Sequence, residues 1–115
     1  MKLDEIYTKA PTVLDQTQRE HYYDQGYLVF PSLIDTEALT PLRTAADRIV
    51  EKTRELTEPS KEIDLENDHT AKNPRLRRAA YLDDLDFEFW GICTDSVIPD
   101  IAADLLGPNV RFREI

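Results

Sequence analysis

Two imidazoles, one thiol and two short runs of carboxylates are the side chains here that could hold a metal or move a proton. His21 stands beside Glu20 and Asp24. Two ligands of this kind rarely make a site, and an exposed helix position is the better account of the residue. His69 follows Asp64, Glu66 and Asp68. That group has the chemistry of a cation site and also the composition of a solvated acidic loop, which is the reading adopted here. The run Asp83-Asp84-Leu85-Asp86-Phe87-Glu88 has the alternation of a calcium loop. It lacks the turn glycine and the distant bidentate glutamate that such a loop requires. Cys93 is the only cysteine, so it forms no internal disulfide and contributes to no cysteine cage. Arg75, Arg77 and Arg78 are the one basic cluster. Read from the residues alone, they are surface charges suited to pairing with Asp83 or Asp84.

The bulk composition narrows the function classes. The 115 residues are 41% hydrophobic and 32% charged, the balance of one ordinary globular domain. A net charge of −9 repels phosphate backbones and anionic lipid heads, so neither nucleic acid nor a membrane is an expected partner. The first ten residues have no apolar run long enough for a signal peptide or a membrane span. With the single cysteine, this points to a cytoplasmic setting. Three glycines are too few for a complete chain of many short strands and tight turns.

The elements that would position these groups follow from periodicity and punctuation. Residues 1–16 read as an N-terminal arm, without clear period over 1–13, and 17–115 as one domain. Thr17 and Glu20 have capping-box spacing, predicting a short helix from about residue 18 to the glycine stop at Gly26. Tyr27-Leu28-Val29-Phe30 is a β-prone run closed by Pro31, predicting a buried strand. Asp35 opens the next segment, in which Leu39, Leu42, Ala46, Ile49 and Leu56 mark the apolar face of a long helix reaching about residue 57. Pro41 suggests that the regular helix starts there, capped by Thr40 after an initial tight turn. Residues 58–74 are polar and read as a long surface loop, and 75–82 as extended. A short helix is expected over 86–95, with Trp90 and the neighbouring aromatics in the core. Tyr22, Tyr23 and Tyr27 read as packing residues with their hydroxyls at the surface. A further helix is expected after the cap Ser96, with Pro99 in its first turn and Gly107-Pro108 at its end. Residues 110–115 alternate imperfectly and predict a final strand. The class is α+β. A lone terminal strand needs partners, so this pattern reads as the opening of a larger domain.

Four stretches resemble one family. They are Tyr23-Asp24-Gln25-Gly26-Tyr27-Leu28-Val29-Phe30-Pro31; Leu33-Ile34-Asp35 leading to Leu42-Arg43; Phe89-Trp90 with the helix through Pro99; and Leu106-Gly107-Pro108-Asn109-Val110-Arg111-Phe112. In this order and spacing they are similar to the N-terminal region of the phytanoyl-CoA dioxygenase family, from about Thr17 onward. The resemblance implies a double-stranded β-helix (jelly-roll) enzyme that uses Fe(II), O₂ and 2-oxoglutarate to hydroxylate a small organic or acyl substrate. It implies metal held by His-x-Asp/Glu and a distant second His, a facial arrangement with open positions. It also makes Arg78 the candidate basic residue near 2-oxoglutarate, and places the 58–74 loop beside the substrate entrance.

The chain departs from that pattern in its ligands. His21 is followed by Tyr22-Tyr23 and His69 by Thr70-Ala71, so neither begins a His-x-Asp/Glu. The expectation is therefore a segment that ends before the iron-binding strands, with no metal or catalytic residue of its own and no cofactor bound by it alone. It would serve the parent enzyme as scaffold. Two rivals stand beside it: a stand-alone acidic helical module that binds another protein, and a fragment that self-associates through its C-terminal strand.

Overall fold

A computed structural model describes residues 3–113 and 115. The chain divides into two compact units. One comprises the described residues through Leu33 together with Ile92–Phe112, and the other Ile34–Gly91 with the described residues of the C-terminus.

The first unit contains helices α1 (Leu3–Tyr7), α2 (Gln16–Gln25) and α6 (Ile98–Leu106), with the last three residues of α5 (Phe87–Thr94). The segment read as an N-terminal arm carries a helix. Helix α2 starts at a capping box two residues earlier than expected. Asp15 accepts from the Gln18 N–H at 2.7 Å, and the Gln18 side chain accepts from the Asp15 N–H at 3.0 Å. Gln can close the box as Glu does, so Asp15 and Gln18 prevail over Thr17 and Glu20. The stop at Gly26 is as expected: its φ of 84° lies where a Cβ is strained, and its N–H donates to Tyr22 O at 2.7 Å. In α6, Pro99 stands in the first turn and Gly107 follows the end at φ 97°. The Ser96 hydroxyl accepts from the Ile98 N–H at 3.2 Å, a local contact at the predicted cap.

Leu14, Ile101 and Leu105 form the buried cluster of this unit, with Tyr22, Leu28, Phe30 and Val97 packed on it. The predicted strand at 27–30 does not form among the described residues. Its alternation survives: Leu28 and Phe30 face the cluster, while Tyr27 and Val29 are 56% and 72% exposed. Period-two burial reports a face, whereas a strand also needs a hydrogen-bonding neighbour. The expected terminal strand meets the same correction. Residues 110–113 and 115 are not in a strand, and Glu114 lies outside the described residues.

The second unit is an α-helix over a hairpin. Helix α3 runs Thr36–Lys52, with Asp35 as its N-cap accepting from the Ala38 N–H at 2.9 Å. It runs straight through Pro41, against the predicted start there. Pro41 and Glu37 are both exposed, so the Glu37 carbonyl that loses its helical partner can be met by water. Thr40 does not cap; its hydroxyl donates to Thr36 O at 2.8 Å. A 3-10 turn, Thr53–Glu55, ends the helix. The buried face is Ala45 and Ile49, while Leu42 is half-buried and Ala46 exposed. The stripe is therefore rotated from the one predicted.

Strands β1 (Ile63–Leu65) and β2 (Leu76–Ala79) pair antiparallel, Ile63 opposite Ala79, Asp64 opposite Arg78 and Leu65 opposite Leu76, with an irregularity between Asp64 and Leu65. β2 agrees with the extended segment expected over 75–82. β1 falls inside the predicted loop. Its signal was the alternation Ile63-Asp64-Leu65, which puts two apolar side chains on one face. Ile49, Ile63 and Leu65 make the buried cluster, with Leu76, Ala79, Phe89 and the flanks of α4 (Leu82–Leu85) packed against it. Tyr81, just before α4, is held left-handed at φ 58°, unusual for a bulky residue. Its carbonyl accepts from the Asp84 and Leu85 N–H groups, and Lys61 lies over its ring. The α+β class holds in its coarse form, a mainly helical chain with one two-stranded sheet.

Candidate functional site

The most organised polar constellation lies in the first unit and was not anticipated from the sequence. Asp104 of α6 is 7% exposed. Its Oδ1 accepts from the Thr12 N–H at 2.8 Å and the Thr12 hydroxyl at 3.1 Å. Its Oδ2 accepts from the N–H groups of Val13 at 2.8 Å and Leu14 at 2.9 Å. Burial pushes this carboxyl up, and the four donors more than offset it, so the net shift is downward. The carboxylate is stabilised by backbone dipoles rather than a counter-charge.

Arg19 of α2 is the second member, 1% exposed. Its Nη1 donates to Lys9 O at 2.8 Å and its Nη2 to Ile6 O, while Nε is buried without a hydrogen-bond partner. The guanidinium lies 5.5 Å from the Tyr7 ring centroid, a cation–π distance. Nearby, the Tyr23 hydroxyl donates to Leu105 O. Burial, then its neighbours Tyr7 and Tyr22, raise the Tyr23 pKa above the ordinary tyrosine value. The hydroxyl expected at the surface is thus bonded to α6. Arg19 and Asp104 line a cavity of about 290 Å³ shared with Ile6, Lys9, Thr12 and Pro108. Asp104 already accepts four hydrogen bonds and the Arg19 Nε is occluded, so the pair works as a structural clamp. The sequence signal was a carboxylate at position 104 on the same helical face as Ile101 and Leu105. A charge on an apolar stripe implies a buried partner.

The residues singled out for chemistry are dispersed. His21 is exposed on α2, edge-on to the Tyr27 ring at 5.3 Å. The His69 Nδ1 accepts from the Arg75 N–H at 2.8 Å and closes the hairpin loop, in which Thr70 and Asn73 also exchange backbone bonds. Arg75 pairs with Asp68 at 3.4 Å and Arg77 with Asp64 at 3.9 Å. Arg78 is exposed on β2. In the acidic run, Asp86 is committed to protein: it receives Arg48 through Nε at 2.9 Å and Nη2 at 3.0 Å, and accepts from the Glu88 N–H at 3.2 Å. The hydrogen bond from Arg48 is the main reason its carboxyl is held below the usual range. Trp90, expected in the core, is 42% exposed, and Phe87 is 79% exposed; only Phe89 of this aromatic run packs on the buried cluster. Cys93 lines an apolar groove of about 450 Å³ with Ile98, Ala102, Val110 and Phe112.

Among the described residues, no three His, Cys, Asp or Glu side chains are grouped so as to hold a metal ion. A facial iron centre needs two imidazoles and a carboxylate converging. His21 and His69 are the only imidazoles, neither begins a His-x-Asp/Glu, and His69 already accepts a backbone N–H through Nδ1. These residues do not fit such a centre. No helix among the described residues is long and apolar enough to cross a membrane. No protein-family profile, no curated protein and no solved structure matches this chain.

Proposed function

We propose that this chain is the N-terminal scaffold segment of an Fe(II)/2-oxoglutarate-dependent dioxygenase of the phytanoyl-CoA dioxygenase type, whose iron ligands lie outside residues 1–115. The observation that carries the proposal is the order and spacing of its four family-like stretches, from Tyr23 to Phe112. Supporting it are the helix stopped at Gly26, the one-sided burial of 27–30 that follows, and the long helix opened by Asp35. In this reading the chain binds neither iron nor 2-oxoglutarate by itself. The complete enzyme would hydroxylate a small organic or acyl substrate, with Arg78 as the basic residue approaching 2-oxoglutarate.

Extending the natural transcript past codon 115 tests the proposal. A His-x-Asp or His-x-Glu within roughly the next few tens of codons is expected, together with iron-dependent conversion of 2-oxoglutarate to succinate by the whole protein. An in-frame stop at that point in the natural transcript overturns it.

A second reading, an acidic module that binds another protein, is favoured by one observation. Val29 and Leu106 of the first unit are 72% and 59% exposed, large apolar side chains left to water. Self-association through residues 110–115 is a separate reading, expected of the truncated segment and not of the self-contained module. Sedimentation at low and high salt with and without the last six residues tests it, because screening the net charge of −9 should favour association.

A further inference from the structure

We propose that residues 3–14 form a strap that opens as a unit from α2 and α6, fastened by Arg19 and Asp104, and that it is a conditional cover over the Ile101–Leu105 face of α6. The proposal is independent of the dioxygenase reading.

The geometry separates strap from body. Both fasteners belong to the body, one on α2 and one on α6, and both are almost wholly buried. Their hydrogen bonds run to strap main chain: Arg19 to the carbonyls of Ile6 and Lys9, Asp104 to the N–H groups of Thr12, Val13 and Leu14. The strap itself has little to hold it. Helix α1 has five residues, too few to persist alone. Beyond the fasteners' hydrogen bonds it is held by the buried side chains of Ile6 and Leu14 and by the Tyr7 ring, edge-on to Tyr23 and under the Arg19 guanidinium. The body retains contacts of its own without the strap. Ile101 and Leu105 are packed by Tyr22, Leu28, Phe30 and Val97, and Tyr23 donates to Leu105 O. An element with few buried apolar contacts, fixed by a handful of hydrogen bonds, opens below the global unfolding free energy. When it opens, Leu14 leaves the cluster and an apolar strip of α6 is uncovered.

Amide hydrogen exchange on the full chain, with peptides resolving 10–15 and 98–106, tests this. In Asp104→Asn one acceptor oxygen becomes an NH₂ group facing backbone donors. Exchange at residues 12–14 should then rise by about tenfold or more while α6 keeps its protection. Trypsin should cleave after Lys9 faster in the same variant. Parallel increases in the strap and α6, or no increase in either, would overturn the proposal. Should Asp104→Asn not fold, native-state exchange of the unmodified chain in low denaturant decides the matter. Strap amides are expected to exchange through a smaller opening than α6 amides, and a shared opening free energy refutes separability.

Discussion

In the unit built from α1, α2 and α6, Asp104 and Arg19 are buried and bond to backbone groups; in the α3–hairpin unit, the Arg48–Asp86 and Arg54–Glu51 ion pairs keep their arginines in solvent. Asp104 holds main chain 90 residues away at Leu14, and Arg19 holds main chain 10 and 13 residues before it. Arg48 with Asp86 and Arg54 with Glu51 form pairs whose arginines are 48% and 38% exposed. The difference matters because a buried carboxylate that is removed leaves its donors without water or partner, whereas a surface pair that is broken is rehydrated. The second unit is instead held by apolar burial, Ile49 against Ile63 and Leu65. One unit therefore depends on polar satisfaction and the other on packing.

The largest effect should come from Asp104→Ala. Three backbone donors lose their acceptor at a buried site, and a cost of about 4 kcal/mol is expected from about 1–3 kcal/mol for each stranded group. Amide exchange at residues 12–14 measures it, because this segment opens without unfolding the rest of the chain. A loss no greater than that of a surface substitution would dissolve the contrast between the units.

Next is Ile49→Ala, expected to cost about 3 kcal/mol by leaving a cavity under the hairpin. Leu42→Ala, at a half-buried position, should cost clearly less. Equal costs in parallel melts would return the buried face to the stripe read from the sequence.

Acid should separate the units as well. The folded-state pKa of Asp104 is depressed, so its contribution is present above the unfolded carboxylate range and lost as pH falls through the folded value. Protection of Thr12–Leu14 should therefore decline in strongly acidic solution, and in Asp104→Asn that part of the pH dependence should vanish. Exchange measured down a pH series, corrected for intrinsic rates, would show it; an unchanged profile in the variant would assign the acid sensitivity elsewhere.

A smaller effect belongs to Gly26→Ala. Nothing lies within 4 Å of the added Cβ, so the cost is conformational only, about 1–2 kcal/mol for a left-handed alanine. A thermal shift larger than that of Ile49→Ala would mean that the exit of α2 does more than turn the chain. Smallest is Arg54→Gln. Its pairing with Glu51 is at the surface, and no change outside error is expected in the melting midpoint at physiological salt. A salt-dependent loss would show that the second unit also relies on charge.

Local chemistry made several elements legible from residues alone. Asp35 and Gly26 announce a helix start and a helix stop because a side-chain acceptor and a left-handed conformation are properties of single residues. Pro99 and Gly107 bracket α6 for the same reason. The sequence also limited the chemistry: two histidines in unrelated contexts and one cysteine leave few ways to build a metal centre. What it could not decide was pairing. Tyr27–Phe30 and Ile63–Leu65 both alternate, yet only the second lies in a ladder, because a strand exists only where another stretch offers its hydrogen bonds. The α3 stripe read from the sequence ran through Leu42, Ala46 and Ile49; of these Ile49 is buried, against the hairpin cluster, and Ala45 rather than Ala46 is buried beside it on the helix. The clamp is the fullest case. Arg19 and Asp104 are ordinary surface residue types until the fold brings Ile6, Lys9 and Thr12–Leu14 against them, and their meaning comes from backbone groups about 90 residues away for Asp104.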